Sequence, residues 1–231
     1  MRVALVTVGD EILSGDTVNT NAAWLGERLT ESGATVERLT VIPDRVAVIA
    51  RVVNEYRAEY DAVIVTGGLG PTHDDVTMEG VAAAFGTEVA PDQEAERWLA
   101  EEAGYSGDDL APETTAIPEE ATFLRNPDGV APGCTIGNVY VLPGLPAEMK
   151  AMFELIADEF GGDVRHVATV ETPEPESELL DRIEELRERF GVIVGSYPGE
   201  HVRLKIEGYD EDTVTEAAAW LEANVEAPDD A

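Results

Sequence analysis

Three glycines, two carboxylates and a threonine are the residues of this chain best suited to chemistry. Gly67, Gly68 and Gly70 precede Asp74, Asp75 and Thr77 within Thr66-Gly-Gly-Leu-Gly-Pro-Thr-His-Asp-Asp-Val-Thr77. Glycine permits positive φ and close backbone approach, and the free N–H groups at a helix start attract phosphate. Carboxylates are the hard oxygen donors that hold Mg²⁺ beside phosphate oxygens. The expected chemistry is therefore binding of a phosphate-bearing ligand with a divalent cation, Asp75 being its main protein ligand. Leu69, Thr72 and His73 share the loop as candidate contacts; His73 is read either as a phosphate contact or proton relay or as a structural loop residue. No Gly-Lys-Ser/Thr exists for a P-loop, and a dinucleotide fingerprint would open the first βαβ unit rather than follow the third strand.

The elements that must position this loop are legible on either side of it. Asp61 to Val65 is a short β-branched run that reads as a buried strand, and Met78 to Phe85 reads as a helix closed by Gly86. Upstream, Val3 to Val8 is a first strand and Gly9 to Thr17 a polar loop. Asn19-Thr20-Asn21 caps a helix through Thr30, and Ala34 to Ile42 is a second strand. Pro43-Asp44 starts a helix with Val46, Ile49, Val53, Tyr56 and Tyr60 on its inner face. Strands alternating with helices imply a mostly parallel sheet in a three-layer α/β/α domain, with ligands at the carboxyl ends of the strands. That rule brings Gly9–Thr17 and Gly67–Thr77 to one edge. Asp10 and Glu11 are thus expected to complete the charge around a cation on Asp75, with Asp74 adjoining and Asp10 joining Asp75 in catalysis. The plain alternatives are a helix N-cap for Asp74 or Asp75 and loop solvation for Asp10 and Glu11. Ser14 has no histidine at motif spacing, so its hydroxyl is expected to hydrogen-bond rather than attack.

Beyond the loop, Pro91-Asp92 caps a helix over Gln93–Ala103, and residues 104–118 look irregular. Thr122 to Arg125 is a strand, Asn126 to Gly133 is dense in turn formers, and Thr135 to Leu142 is a hairpin or one bent strand. Pro143-Gly144-Leu-Pro146 then opens a helix over Ala147–Phe160, a second candidate anion site. After Gly161-Gly162 come strands at Val164–Val170, Val192–Tyr197 and Val202–Glu207, with helices at Glu178–Phe190 and Thr213–Val225. This is a small β-α-β-β-α unit. The expected organisation is residues 1–162, then 163–226, then a tail of 227–231.

Composition limits the partners. The 231 residues carry 48 acidic against 15 basic side chains, a net charge of −33, and 44% of them are hydrophobic, ample for a packed core. The acids are spread along the whole chain. At about 1 M salt the Debye length falls to roughly 3 Å and removes most of their repulsion, so a salt-rich cytosol is the natural setting. No basic stripe exists to neutralise nucleic-acid phosphates. Cys134 is the single cysteine, excluding an internal disulfide. The opening apolar run is too short for a signal peptide, and no segment approaches a bilayer span, so a soluble cytoplasmic protein is expected.

Four ordered motifs carry a family resemblance: Gly9-Asp10-Glu11-Ile-Leu-Ser14-Gly15 with Asn19-Thr20-Asn21; Thr66 to Thr77; Asn126-Pro-Asp-Gly129-Val-Ala-Pro-Gly133; and Leu142-Pro-Gly144-Leu-Pro146-Ala-Glu148-Met149. In these the chain resembles the CinA amino-terminal (competence/damage-inducible protein A-like) family, a branch of the molybdopterin-binding MoaB/Mog fold. Its small second unit looks like that family's KH-like appendix. The resemblance implies a phosphorylated pterin or nucleotide ligand, Mg²⁺ or another divalent cation, and contacts from Asn126 and Gly144. It also implies metal-dependent hydrolysis of a nucleotide pyrophosphate such as ADP-ribose or FAD. Adenylyl transfer to molybdopterin and non-catalytic molybdopterin or nucleotide binding stay open beside it. Asp74 stands where the adenylylating enzymes have arginine, and the deamidase domain of long relatives is expected to be missing. Relatives of this fold are often homo-oligomers.

Overall fold

Val3 to Val8 is buried residue for residue, because the strand that contains it has neighbours on both sides and helices on both faces. In the computed structural model, which describes residues 1–101 and 112–228, this strand is β1 (Arg2–Val8). It pairs in parallel with β2 (Thr35–Ile42) and β3 (Ala62–Thr66), and β3 pairs in parallel with β8 (Val139–Leu142). Two short antiparallel strands, β7 (Gly133–Ile136) and β6 (Thr122–Leu124), complete a six-stranded sheet of order β2-β1-β3-β8-β7-β6. The stretch from Thr135 to Leu142 is thus a hairpin, turned at Gly137-Asn138; Asn138 Nδ2 donates to the carbonyls of Arg57 and Tyr60 and fixes the turn to the neighbouring helix end.

Alternation along the central strands sends side chains into two cores. Val63 and Val65 of β3 meet Ile49 and Val53 of α3 (Val46–Glu59) and Val81 of α4 (Thr77–Phe85). Ala62 and Ile64 point the other way, toward Leu25 and Leu29 of α2 (Thr20–Glu31) and Met149, Met152 and Phe153 of α6 (Pro146–Glu154). This is the expected α/β/α arrangement. The tryptophans pack: Trp24 sits edge-on to Phe153 at 5.6 Å and Trp98 lies 6.0 Å from Phe123.

The structure departs from the sequence reading in three places. Part of the expected loop Gly9–Thr17 is a short helix, α1 (Asp10–Ser14), ended by Gly15 in the left-handed region. Five residues are too few to display a helical period. The helix expected over 147–160 ends at Glu154 and resumes as a 3₁₀ turn over Ala157–Glu159. Within the region expected to be irregular, Ala116–Pro118 (β5) pairs antiparallel with Val89–Pro91 (β4). The helix capped by Asp92 is α5 (Gln93–Glu101); the rest of its expected span, to Ala103, and the start of the 104–118 stretch lie outside the described residues.

The chain divides into Met1–Gly162 and Asp163–Ala231. The second unit runs β9 (His166–Thr172), α7 (Glu176–Phe190), β10 (Ile193–Tyr197), β11 (Val202–Gly208), α8 (Glu211–Glu222), with an antiparallel sheet of order β10-β11-β9. Leu179 and Leu186 of α7, Leu204 and Ile206 of β11 and Leu221 of α8 are fully buried in its core, and Ile183 and Phe190 pack partly buried against it. Arg182 ties the unit's ends together: it pairs with Glu174, whose Oε1 also accepts the Glu226 N–H at 2.6 Å. No helix among the described residues is long and apolar enough to cross a membrane.

Candidate functional site

Parallel register delivers the ends of four strands to one edge. Val8 pairs with Ile42, Thr7 with Thr66, and Thr66 with Leu142. The loops that follow leave the sheet side by side and enclose an open cleft of about 540 Å³. Its walls are residues 7–9, 11–12, 17–21, Asp44, 66–71, Asp74, Asp75, Val130, Ala131, the turn from Pro143 to Pro146, and Glu148.

The glycine loop is fixed by sterics at its first two positions. Gly67 donates its N–H to Leu142 O and has φ 99°; a Cβ there would lie 2.2 Å from the Val8 carbonyl oxygen. At Gly68, φ is 65° and a Cβ would meet Thr77 Oγ1 at 2.4 Å. The N–H groups of Gly68, Leu69 and Gly70 make no hydrogen bond among the described residues. Successive unpaired amides of this kind are the donors from which anion-binding loops are built.

The acids behave less uniformly than the sequence suggests. Asp75 Oδ2 accepts the Thr72 N–H at 3.0 Å and the Thr72 hydroxyl at 2.5 Å, closing the loop under Gly70, while the residue itself lines the cleft. Asp74 and Glu11 also line it. Asp10 does not: its contribution is the backbone N–H, which donates to Asp44 Oδ2 at 2.8 Å. Asp44, read from sequence only as part of a helix start, is the residue that sequence reasoning missed. It lies in the middle of the loop after β2, lines the cleft, and has its carboxyl pushed up from the ordinary carboxylate range by burial, with Asp10, Glu11 and Asp74 adding repulsion against the Asp10 N–H bond. The available signal was its place two residues past the second strand of a parallel pair.

The other expected contacts take varied places in the structure. Thr77 is fully buried beneath Gly68, its N–H given to Gly68 O at 3.2 Å and its hydroxyl without a partner among the described residues. His73 is fully exposed, with Nδ1 3.8 Å from Asp74. Ser14 spends its hydroxyl on Asp16 at 2.7 Å, closing α1. Asn126 has no exposure and does not reach the cleft; its Nδ2 bridges Ala131 O at 2.9 Å and Glu148 Oε2 at 2.7 Å. Gly144 lines the cleft and gives its carbonyl to Asn21 Nδ2. The expected second anion site at the start of α6 meets a physical obstacle: Pro146 has no N–H and Glu148 already places a carboxylate in the first turn.

The lining therefore holds Glu11, Asp44, Asp74, Asp75 and Glu148 and, among the described residues, no lysine, arginine or histidine. The four carboxylates expected to share one ion do not converge: among the described residues no three His, Cys, Asp or Glu side chains lie close enough to hold a metal together. Mg²⁺ commonly keeps its waters and takes one or two carboxylates plus ligand phosphates rather than a cage of protein groups, and the acids of this cleft fit that mode.

The α/β/α sheet thus carries its glycine loop and acidic cleft at the carboxyl edge, where parallel sheets collect ligands. Residues 4–161 match the family described as "Probable molybdopterin binding domain". The chain is 38% identical over 224 residues to a protein of Archaeoglobus fulgidus, covering 96% of this chain and 97% of that one. It is 42% identical over 165 residues to a CinA-like protein of Frankia casuarinae, covering 66% of this chain and 38% of that longer relative. The crystal structure of the protein CinA with unknown function from Thermoplasma acidophilum superposes with a TM-score of 0.63 at 35% identity, covering 70% of this chain and all of that one. The chain belongs to the molybdopterin-binding-domain family, on its CinA-like branch.

Proposed function

We propose that the cleft binds a phosphorylated pterin or nucleotide as its divalent-metal complex, and that the chain hydrolyses the pyrophosphate of a nucleotide such as ADP-ribose or FAD. One observation carries this reading: among the described residues, three unpaired glycine-loop amides share a cleft with five carboxylates and no basic side chain. A bare phosphate is attracted by the amides and repelled by the acids, so a cation must accompany it.

In this reading Asp75, with Glu11 as at most a second protein ligand, would hold the cation against the ligand, whose phosphates and water would complete its shell. A bound Mg²⁺ supplies neutralisation of the phosphate oxygens and polarisation of phosphorus. The chain does the rest. The amides of Gly68, Leu69 and Gly70 hold one phosphate and receive charge developing on its oxygens. Thr72 keeps Asp75 in place from beneath the loop. Asp44, whose carboxyl is already raised by burial and its acidic neighbours, takes the proton of the attacking water. Asp10, proposed from sequence as catalytic, acts through its N–H bond to Asp44.

The family match supports a second reading, molybdopterin binding or adenylyl transfer in molybdenum cofactor biosynthesis, which needs nearly the same parts. The separated carboxylates leave room for binding without turnover as well. Purified protein at high salt, incubated with ADP-ribose, FAD, or molybdopterin plus ATP, with Mg²⁺ or EDTA, separates these. Metal-dependent product from ADP-ribose or FAD is expected; adenylylated molybdopterin alone would select the second reading, and no product from any would reduce the chain to a binding protein.

A further inference from the structure

The small sheet of the second unit has helices on one face only. Val170, Leu204 and Ile206 point into the core with Leu179, Leu186 and Leu221 of α7 and α8, so alternation turns Thr169, Arg203, Lys205 and Glu207 to the opposite side. There the register sets out rows. Arg203 of β11 stands between Tyr197 of β10 and Glu171 of β9, and Glu207 stands between Ile193 and Val167. Lys205 lies in the row between these two and pairs with Glu207. Arg165 and Tyr209 extend the face by one more row, the guanidinium 5.4 Å from the ring centroid. The Tyr197 ring lies back over Gly195, where a Cβ would sit 3.0 Å from it, and Arg203 stacks on that ring at 5.2 Å. Val167, Ile193, Tyr197 and Tyr209 are each exposed by 46% or more.

Two features of this face point to its occupant. It carries three of the chain's 15 basic residues but only two of its 48 acidic ones, so its charges nearly cancel where the rest of the chain is strongly negative. An acidic protein meets its own kind without repulsion only at such a patch. The pattern is also complementary to itself. A two-fold axis across the strands, between the Lys205 and Glu207 rows, sets Lys205 against Glu207 of the second copy and Glu171 against Arg165 of the second copy. The same axis sets Arg203 against Tyr209 of the second copy and Ile193 against the Tyr197 ring over Gly195. Each contact then occurs twice, as an isologous interface requires. We propose that this sheet face is an interface between two copies of the chain, packed sheet on sheet. Single-stranded nucleic acid fits it less well: Glu171 and Glu207 would face the phosphates, and three cations hold phosphate weakly at high salt. Strand spacing and rise give a patch of about 14 by 20 Å. That is small beside the roughly 800 Å² per partner of a standard interface, so the dimer forms in a concentration-dependent way.

The test is analytical ultracentrifugation of the full chain at high KCl over a wide range of concentration. Wild type is expected to double its mass reversibly, and the more readily as KCl screens the rest of the surface. Ile193→Asp is expected to move the midpoint up by about tenfold or more, since it sets a charge against the Tyr197 ring. Arg165→Glu and Glu171→Arg, each placing like charges in two symmetric contacts, are expected to weaken association by about tenfold. The double variant with both changes restores opposite charges across the axis and is expected to return within about threefold of wild type. These two residues are six positions apart on one strand, so no contact inside a single chain gives that rescue. A wild type that stays monomeric overturns the proposal. So does association that ignores Ile193→Asp, or a double variant weaker than either single one. Binding of a single-stranded RNA oligonucleotide at the same salt, lost in Arg203→Gln while the mass stays monomeric, overturns it in favour of nucleic acid.

Discussion

The carboxylate of Asp44 accepts the backbone N–H of Asp10 at 2.8 Å, a bond that joins the loop after the second strand to the short helix after the first. Burial pushes the Asp44 carboxyl up, and nearby acids add to that. The sign follows directly: a group whose folded value exceeds its unfolded value favours folding when protonated, and that contribution is lost as pH rises through the folded value. For Asp44 the window begins near the ordinary 3.8 and ends at its raised value. At neutral pH the ionised group is destabilising, and a cation bound nearby, as proposed, would relieve it. Asp44→Asn, which can still accept from Asp10, should raise the melting temperature of the metal-free protein at pH 7 and flatten its Mg²⁺ dependence. Calorimetry at pH 4 and 7, with Mg²⁺ and with EDTA, measures both.

Gly67→Ala should be among the more destabilising single-methyl changes in the chain. Its φ of 99° is strained for alanine, and the new Cβ would lie 2.2 Å from the Val8 carbonyl oxygen, a backbone atom of the central strand that has nowhere to retreat. A loss of about 2–3 kcal/mol is expected from strain and displacement combined. Gly86→Ala meets no atom within 4 Å at a comparable φ of 72° and isolates the cost of conformation alone. Denaturant melts of the two variants give the difference.

Cys134 has no exposure, lies with Sγ 3.7 Å from Met78 Sδ, and has its thiol pushed up to about 12 by burial. A thiol reagent at pH 8 should therefore label native protein only at its opening rate, and labelling should become fast across the unfolding transition.

The net charge of −33 is read as adaptation to salt. Between about 0.1 and 1 M the Debye length falls from about 10 to 3 Å. KCl over that range should raise the melting temperature by several degrees, with little further gain attributable to screening above it. A flat response would contradict that reading of the acidic surface.

Much of this architecture was legible because the signals were long. Val3–Val8 and Asp61–Val65 read as buried strands, and the helix from Val46 shows its period; the carboxyl-edge rule then placed two loops together. What sequence could not show was contact across register. Asp44 follows a proline and looks like any helix start until β1 and β2 pair and bring it to Asp10. Asn126 and Glu148 lie in separate motifs and form one bonded pair only through the fold. The positions of two motif hydroxyls were equally invisible in sequence: the backbone sets that of Thr77 beneath the glycines and that of Ser14 onto Asp16, the latter a hydrogen bond as expected.

The central claim is that the glycine-loop amides and the acidic cleft take a phosphate ligand only together with a cation. The direct measurement is isothermal titration of wild type and Asp75→Asn with ADP-ribose and with neopterin phosphate at high KCl, each with Mg²⁺ and with EDTA. The account predicts saturable binding of at least one probe to wild type with Mg²⁺, loss of about tenfold or more in affinity with EDTA, and a similar loss in Asp75→Asn. Equal affinity with and without the cation, or a wild-type response from Asp75→Asn, would contradict it.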